Sequence, residues 1–472
     1  MLAKDQCYQA VLSHDRRFDG VFFIGVSSTG IYCRTVCTAK KPRQENCTFF
    51  PSAAAAEQAG YRPCLRCRPE LAPGQAKIDA VGRLAAAAAS RIEDGVLTQQ
   101  SVGELANSLG ISDRHLRRVL HQEFGVSPVQ LAQTQRLLLA KRLLTDSQLS
   151  ITEIAFASGF SSVRRLNDLF QKRYRLNPST LRKATRVPQD TLQCELSYRP
   201  PLDWASLLGF LCQRTVIGVE HVDGVSYQRT VKIGEHSGWI RVVPVPQQHK
   251  LRVELSASLV AVILPVLTRV KGLFDLAADP IRIAQHLGPL ADPLPGLRVP
   301  GAFDSFEVAV RAILGQQVSI KAATTLMGRL VKAIGTPLAV PVGELTHFTP
   351  TPEQMARCTP EALTPLGILH KRAVSIIALA QVIAEGQLSL TPYVDTEATV
   401  TFLKKLPGIG DWTAQYMAMR ILAYPDAFPY SDLWLRRALN VEKPQQVLQQ
   451  ATIWQPWRAY AAMHLWKSLE ET

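Results

Sequence analysis

Near the C-terminus, Leu406-Pro407-Gly408-Ile409-Gly410 runs into Asp411-Trp412-Thr413-Ala414, and Asp432 opens the next apolar-periodic segment. Two glycines in a turn between helices leave backbone N–H groups open to a phosphate, because no side chain blocks the approach. A single carboxylate beside such a turn suits chemistry on DNA: Gly408 and Gly410 hold the backbone, and Asp432 faces the sugar. Spacing alone makes Asp432 equally an N-cap, since Ser431-Asp432 precedes Leu433-Trp434-Leu435-Arg436. Asp411 lies inside the hairpin motif and Asp426 precedes Phe428-Pro429, so both suit the role less.

A second chemical constellation lies at the other end. Cys33-Arg34-Thr35-Val36-Cys37 and, further on, Cys64-Leu65-Arg66-Cys67 give a C-x3-C plus C-x2-C quartet, the spacing of a tetrahedral zinc site. Such a site most often only staples a small domain. Here Arg34, Lys40, Lys41, Arg43, Arg62, Arg66 and Arg68 crowd the ligands with positive charge, which would bring a DNA phosphate against a thiolate. Zinc with four thiolates carries excess negative charge, so a sulfur stays nucleophilic near neutral pH. Methylating one sulfur would then act as an electrostatic switch on DNA affinity. Spacing does not say which cysteine reacts.

The elements that must position these groups divide into several domains, since 472 residues exceed what one core holds. Hydrophobic residues are 47% and charged residues 19%, ordinary for globular domains. The net charge of +14 is uneven: residues 1–190 hold 27 Lys+Arg against 16 Asp+Glu. That balance favours a polyanionic partner. The longest apolar stretch, near Leu259–Leu267, contains Pro265 and is too short to span a bilayer. The N-terminus carries Asp5, Asp15 and Asp19 with no signal-like apolar run, and the five cysteines outside the quartet are scattered. A cytoplasmic protein in a reducing compartment, with no membrane partner, is expected.

Pro69, Pro73 and Gly74 close the cysteine-bearing segment, placing a boundary near residue 75. Helical periodicity follows to Lys183. Within it, Val102 to Arg118 reads as helix, turn at Gly110, and a second helix capped by Ser112, presenting Arg114, His115, Arg117 and Arg118. A second copy from Ile151 turns at Gly159 and presents Arg164, Arg165 and Asn167. Two such units on a basic segment favour major-groove docking. Strand-like alternation then runs from Thr191 to Leu259, and the final 180 or so residues read as all-α, interrupted by Gly and Pro clusters near 288–301, 335–352 and 407–410.

Three resemblances sharpen this. Thr29-Gly30-Ile31-Tyr32-Cys33-Arg34 and Tyr61-Arg62-Pro63-Cys64-Leu65-Arg66-Cys67 resemble the N-terminal domain of the Ada methylation-response family. The resemblance implies one Zn2+ on Cys33, Cys37, Cys64 and Cys67, with Cys33 irreversibly taking the methyl group of a DNA methylphosphotriester. Phe124-Gly125-Val126-Ser127-Pro128 and Tyr174-Arg175-Leu176-Asn177-Pro178 after the recognition helices resemble the AraC/XylS family, which implies promoter DNA and RNA polymerase as partners. The Pro-Cys-His-Arg motif of long Ada-type chains does not occur, so repair of O6-methylguanine is not expected.

From about residue 196 the chain resembles the AlkA-type 3-methyladenine glycosylases of the HhH-GPD superfamily, through Pro200-Pro201-Leu-Asp-Trp204, Arg311 to Gln316, the Gly408 hairpin and Trp457-Arg458. The resemblance implies a monofunctional hydrolase that flips an alkylated purine out of the duplex and cleaves its glycosidic bond, with Asp432 as the catalytic carboxylate. Trp412 stands where bifunctional relatives carry a Schiff-base lysine, so strand cleavage is not expected. Phe210, Trp412, Tyr416 and Trp466 correspond to an aromatic base pocket, though each aromatic could equally be core. Gln316 and Gln317, with Arg34, join the candidate DNA contacts. Gln317 replaces a wedge leucine of the best-known relative, and Leu433 replaces a tyrosine beside the aspartate.

The expected architecture is therefore multidomain. It comprises a small zinc-bound α+β domain (1–75), an all-α tandem helix-turn-helix domain (80–187), a mixed α/β, TBP-like subdomain (191–287) and an all-α helix-hairpin-helix glycosylase domain (288–472). A monomer is the default, because paired helix-turn-helix units on one chain need no dimer.

Overall fold

Aromatic and β-branched runs bounded by glycine build the first sheet. β1 (Phe23–Val26), β2 (Ile31–Cys33), β3 (Cys47–Phe50) and β4 (Arg62–Pro63) lie in the order β3-β1-β2-β4. The computed structural model describes residues 2–74, 83–98, 100–182, 191–392 and 395–469, so the boundaries placed near residue 75 and at 187 fall outside the described residues. The β2–β4 pair is parallel, with Tyr32 beside Pro63 and the Cys64 N–H donating to the Tyr32 carbonyl at 3.0 Å. That one pairing brings Cys33 and Cys64 side by side.

The helical segment that follows is punctuated by capping chemistry. Ser101 with Glu104, Ser127 with Gln130 and Ser150 with Glu153 each form a reciprocal capping box. Gly110 and Gly159 adopt φ of +70° and +77° at the two helix-turn-helix turns, a left-handed conformation that favours glycine. The long helix Pro128–Asp146 is the shared spine: it packs against the helix Ala53–Gln58 of the N-terminal domain and the helices Arg83–Glu93 and Ile151–Ala157.

Strands β5 (Thr191–Ser197), β6 (Glu220–Val222), β7 (Tyr227–Ile233), β8 (His236–Val245) and β9 (Lys250–Ser256) form an antiparallel sheet in the order β5-β9-β8-β7-β6. Alternate residues such as Leu251, Val253 and Leu255 of β9 are fully buried, as period-two patterning requires. Arg229 of β7 ties this sheet to the next domain by a buried ion pair with Glu307 at 2.8 Å.

The last domain is helical, with one departure from the all-α expectation. Thr336–Val342 and Leu345–Phe348 pair as a hairpin, β10 and β11, within the Gly/Pro cluster at 335–352. Pro337 and Pro341 interrupt helix formation there, while Val340 and Val342 favour extended backbone. The helices Ser305–Leu314, His370–Ala384 and Asp411–Arg420 pack together and carry the second candidate site. No helix among the described residues is long and apolar enough to cross a membrane.

The domains touch through specific polar contacts. Lys141 of the spine helix pairs with Glu70 of the N-terminal domain at 2.6 Å, both nearly inaccessible, and Arg68 reaches Asp146 at 2.5 Å. Arg199, just after β5, donates to the carbonyls of Arg17, Asp19, Gly74 and Ala277, joining the N-terminal domain to the C-terminal half.

Candidate functional site

The four cysteines at the N-terminal site come from two turns. Cys33 ends β2 and Cys37 follows one turn later; Cys64 leaves β4 and Cys67 closes the knuckle. Their sulfur atoms all lie within 4.8 Å of one another. A tetrahedron of sulfurs about 2.3 Å from a zinc ion has edges of roughly 3.8 Å, so the quartet fits that ion. The four thiols also share protons among themselves. Hydrogen bonding from Cys33 holds Cys37 down to about 7 and Cys64 below the ordinary thiol range, while the same mutual bonds push Cys33 and Cys67 up. A dication bound at the four sulfurs would displace those shared protons.

The four sulfurs are not equivalent. Cys67 accepts the Arg34 backbone N–H at 3.4 Å, Cys37 receives a backbone hydrogen bond from Ala39, and Cys64 receives one from Cys67.

Arg34 needs correction as a DNA contact. Its guanidinium is buried, donates to both oxygens of buried Asp19, one at 2.7 Å, and to the Cys67 carbonyl at 3.1 Å. The residue braces the metal knuckle from inside, and Asp19 at the far end also meets Arg199 through its carbonyl. Lys40, Lys41, Arg43 and Arg66 remain exposed on the domain surface.

On the recognition helices Asp113–Phe124 and Val163–Tyr174, Arg114, Arg117, Arg118, Arg164 and Arg165 are exposed, opposite buried Leu116, Leu120, Leu166 and Phe170. Arg117 pairs with Asp113 one turn earlier at 2.9 Å, an exposed contact easily exchanged for a phosphate.

In the C-terminal half, Asp432 takes the N-cap role that spacing left open and meets two indoles besides. As N-cap of the helix Leu433–Ala438, its Oδ1 accepts the N–H groups of Trp434 at 2.9 Å and Leu435 at 3.1 Å. The same carboxylate accepts the Trp412 indole N–H on Oδ2 at 2.7 Å and the Trp466 indole N–H on Oδ1 at 3.2 Å. Four N–H groups from three helices thus aim one carboxylate. Sequence reasoning assigned the two tryptophans to stacking and missed this donor role, which requires contacts across helices distant in sequence. The competing aspartates are spoken for: Asp426 is held by Arg458 through two 2.7 Å bonds, and Asp411 pairs with Lys404 at 2.6 Å.

Trp412 stacks on Tyr416 with centroids 5.2 Å apart and planes 9° from parallel, and Tyr416 lies 6.4 Å from Trp466. Phe210 comes from the other domain, and its ring already carries a cation, the Arg214 guanidinium at 3.7 Å, with Arg420 at 4.8 Å. The ring is buried and lies against those two guanidinium groups. Burial pushes the Tyr416 phenol up, yet Arg420, Arg214 and Arg311 together outweigh that and hold it below its ordinary value.

The hairpin is braced from behind. Gln316 donates from its amide to the Gly408 carbonyl and to Thr413 Oγ1, both at 2.9 Å. Gln316 therefore positions the turn and is half-buried, while Gln317 is exposed with φ of +54°. Gly408 has φ of +72°, and a Cβ there would fall 2.2 Å from Ser375 Oγ. Gly410 is different: its backbone is extended and a Cβ would meet nothing within 4 Å, so the fold itself tolerates a side chain there.

A mixed sheet domain leading into a braced helix-hairpin-helix with one aimed carboxylate defines a base-excision glycosylase fold, here joined to a thiol metal domain and paired helix-turn-helix units. Family matches follow that division: the metal binding domain of Ada over residues 6–70, a helix-turn-helix domain over 105–184, the AlkA N-terminal domain over 193–304 and the HhH-GPD base excision DNA repair superfamily over 310–444. The chain is 37% identical to a probable bifunctional transcriptional activator/DNA repair enzyme AlkA of Mycobacterium tuberculosis, covering 99% of this chain and 96% of that protein. It therefore belongs to the family of bifunctional transcriptional activator/DNA repair enzymes of the AlkA type. It is also 40% identical to DNA-3-methyladenine glycosylase 2 of Escherichia coli over 57% of this chain and 95% of that one. The 3-methyladenine DNA-glycosylase of Archaeoglobus fulgidus shares the fold, with a TM-score of 0.51 at 18% identity, over 59% of this chain and 98% of that one.

Proposed function

We propose that the chain detects alkylated DNA, activates genes in response, and itself removes alkylated bases. The convergence of Trp412, Trp466 and the Leu433 helix on the Asp432 carboxylate, beside the Gly408 hairpin, carries the repair part. Alkylation at N3 or N7 makes a purine a cationic leaving group, and the glycosidic electron pair departs with it. Asp432 faces the resulting oxocarbenium character at C1′ and orients the water that adds there. Trp412 offers no amine, so the strand is left intact. The aromatic set recognises the flipped cationic base by stacking.

In the sensor, Cys33, Cys37, Cys64 and Cys67 would hold zinc, which supplies thiolate character at neutral pH. The Cys33 sulfur forms a bond to the methyl carbon of a methylphosphotriester as the carbon–oxygen bond breaks, and the phosphodiester oxygen leaves with the electron pair. The loss of one negative charge at the knuckle strengthens DNA binding. The exposed arginines of both recognition helices then dock in the major groove, the promoter-bound chain contacts RNA polymerase, and it does so as a cytoplasmic monomer.

Two measurements test this. Single-turnover excision of 3-methyladenine should fall by roughly two to three orders of magnitude in Asp432→Asn; wild-type rates in that variant defeat the repair reading. Mass spectrometry after exposure to methylated DNA should find one added methyl on Cys33, and its absence defeats the sensor reading.

A further inference from the structure

On the glycosylase reading, the turn Gln316-Gln317-Val318 lies on the face that meets the duplex, because Gln316 ties it to the Gly408 hairpin proposed to hold the DNA backbone. Yet position 317 carries a polar amide, and glutamine cannot fill an unstacked gap as an aliphatic side chain does. A candidate is joined to that turn through Arg372. Leu369 is 63% exposed, the most exposed leucine among the described residues, and sits at the N-cap of the helix His370–Ala384. Arg372, one turn into that helix, donates its guanidinium to the Gln316 carbonyl, and its backbone N–H donates to the Leu369 carbonyl at 2.9 Å. Leu369 therefore shares one braced face with the Gln317 turn and the Gly408 hairpin.

Folding does not account for this leucine. An N-cap position favours Ser, Thr, Asp or Asn, and no side-chain cap is made here. A large aliphatic group stands in water at a position where a small polar one would stabilise the helix, which leaves its side chain available to a ligand. His370 and Lys371 beside it are exposed, in keeping with a nearby phosphate backbone. We propose that Leu369 is the apolar wedge that enters the duplex beside the flipped nucleotide, in place of an aliphatic residue at 317. This rests on the glycosylase reading above.

The test uses the full-length chain and Leu369→Ser, which supplies the missing N-cap. The variant should melt at a temperature equal to or above that of the wild type, while single-turnover excision of 7-methylguanine from a fully paired duplex falls about tenfold. The loss should shrink to within about threefold when the lesion sits in a bulge, where the stack is already open. Adding Gln317→Leu to Leu369→Ser should restore most of the rate. An excision rate within about twofold of wild type on paired DNA overturns the proposal, as does an equal loss on paired and bulged DNA, which would mark a general binding contact. If the wild type excises nothing, the glycosylase reading fails by itself. The wedge is then still judged by fluorescence of 2-aminopurine beside an abasic site, which should rise on binding wild type and not on binding Leu369→Ser.

Discussion

Glu57 of the sensor is a fully buried carboxylate at the junction of three elements. It accepts hydroxyl hydrogens from Tyr32, the residue before Cys33, at 3.0 Å, from Thr134 of the spine helix at 2.9 Å, and from Tyr174 at the end of the second recognition helix at 2.9 Å. Burial outweighs those three donors and pushes the carboxyl from its ordinary 4.5 up to about 7. A raised carboxyl binds its proton more tightly in the folded than in the unfolded chain. Stability is therefore greatest below the ordinary value, falls as pH rises toward 7, and stays reduced above it. Between pH 5.5 and pH 8 the change is roughly 2 kcal/mol from this group alone. Glu57→Gln keeps the shape, its carbonyl still accepts from the tyrosines, and it cannot titrate. Thermal unfolding of both proteins across that range, with zinc saturating, should show the variant gaining on wild type by about 4–8 °C at pH 8 relative to pH 5.5. Comparison at each pH cancels the other titrating groups, and hydrogen exchange in helix Ala53–Gln58 keeps the reading local in a multidomain chain. A constant offset between the two proteins across the range would refute the reasoning.

Other consequences follow from the same geometry. Arg34→Met leaves Asp19 buried without its partner, which should cost the sensor roughly 3–5 kcal/mol in chemical denaturation while leaving the salt dependence of DNA binding unchanged. Gly408→Ala forces a left-handed alanine and a Cβ against Ser375, so both melting temperature and DNA affinity should drop. Gly410→Ala should weaken DNA binding in a gel-shift titration with no change in melting temperature. Trp412→Phe keeps a ring against Tyr416 but deletes the 2.7 Å bond to Asp432; excision should slow roughly tenfold or more, and an unchanged rate would remove the indole from the mechanism.

Much of the fold was legible in the residues because the signals are local. Cysteine spacing names a ligand set, Ser-x-x-Glu boxes mark helix starts, and apolar periodicity separates helix from strand. These features placed the thiol domain, both helix-turn-helix units, the sheet domain and the hairpin with its aspartate. The β10–β11 hairpin escaped because prolines and β-branched residues in a Gly/Pro cluster read only as a break in helix.

What chain order could not decide was where charged and polar heads point. Arg34 sits in a basic cluster, yet turns inward because Asp19, on a different turn, offers a buried carboxylate. Gln316 faces the hairpin because Gly408 and Thr413 present a carbonyl and a hydroxyl ninety-odd residues away. Trp412 and Trp466 looked like stacking surfaces, and only the packing of their helices shows their N–H groups meeting one carboxylate. Sequence by itself determined which chemical groups this protein owns and on which elements they ride, since those depend on neighbours within a few residues. Tertiary structure alone decided which groups meet, because a hydrogen bond or ion pair depends on distance in space, and the partners here come from opposite ends of domains.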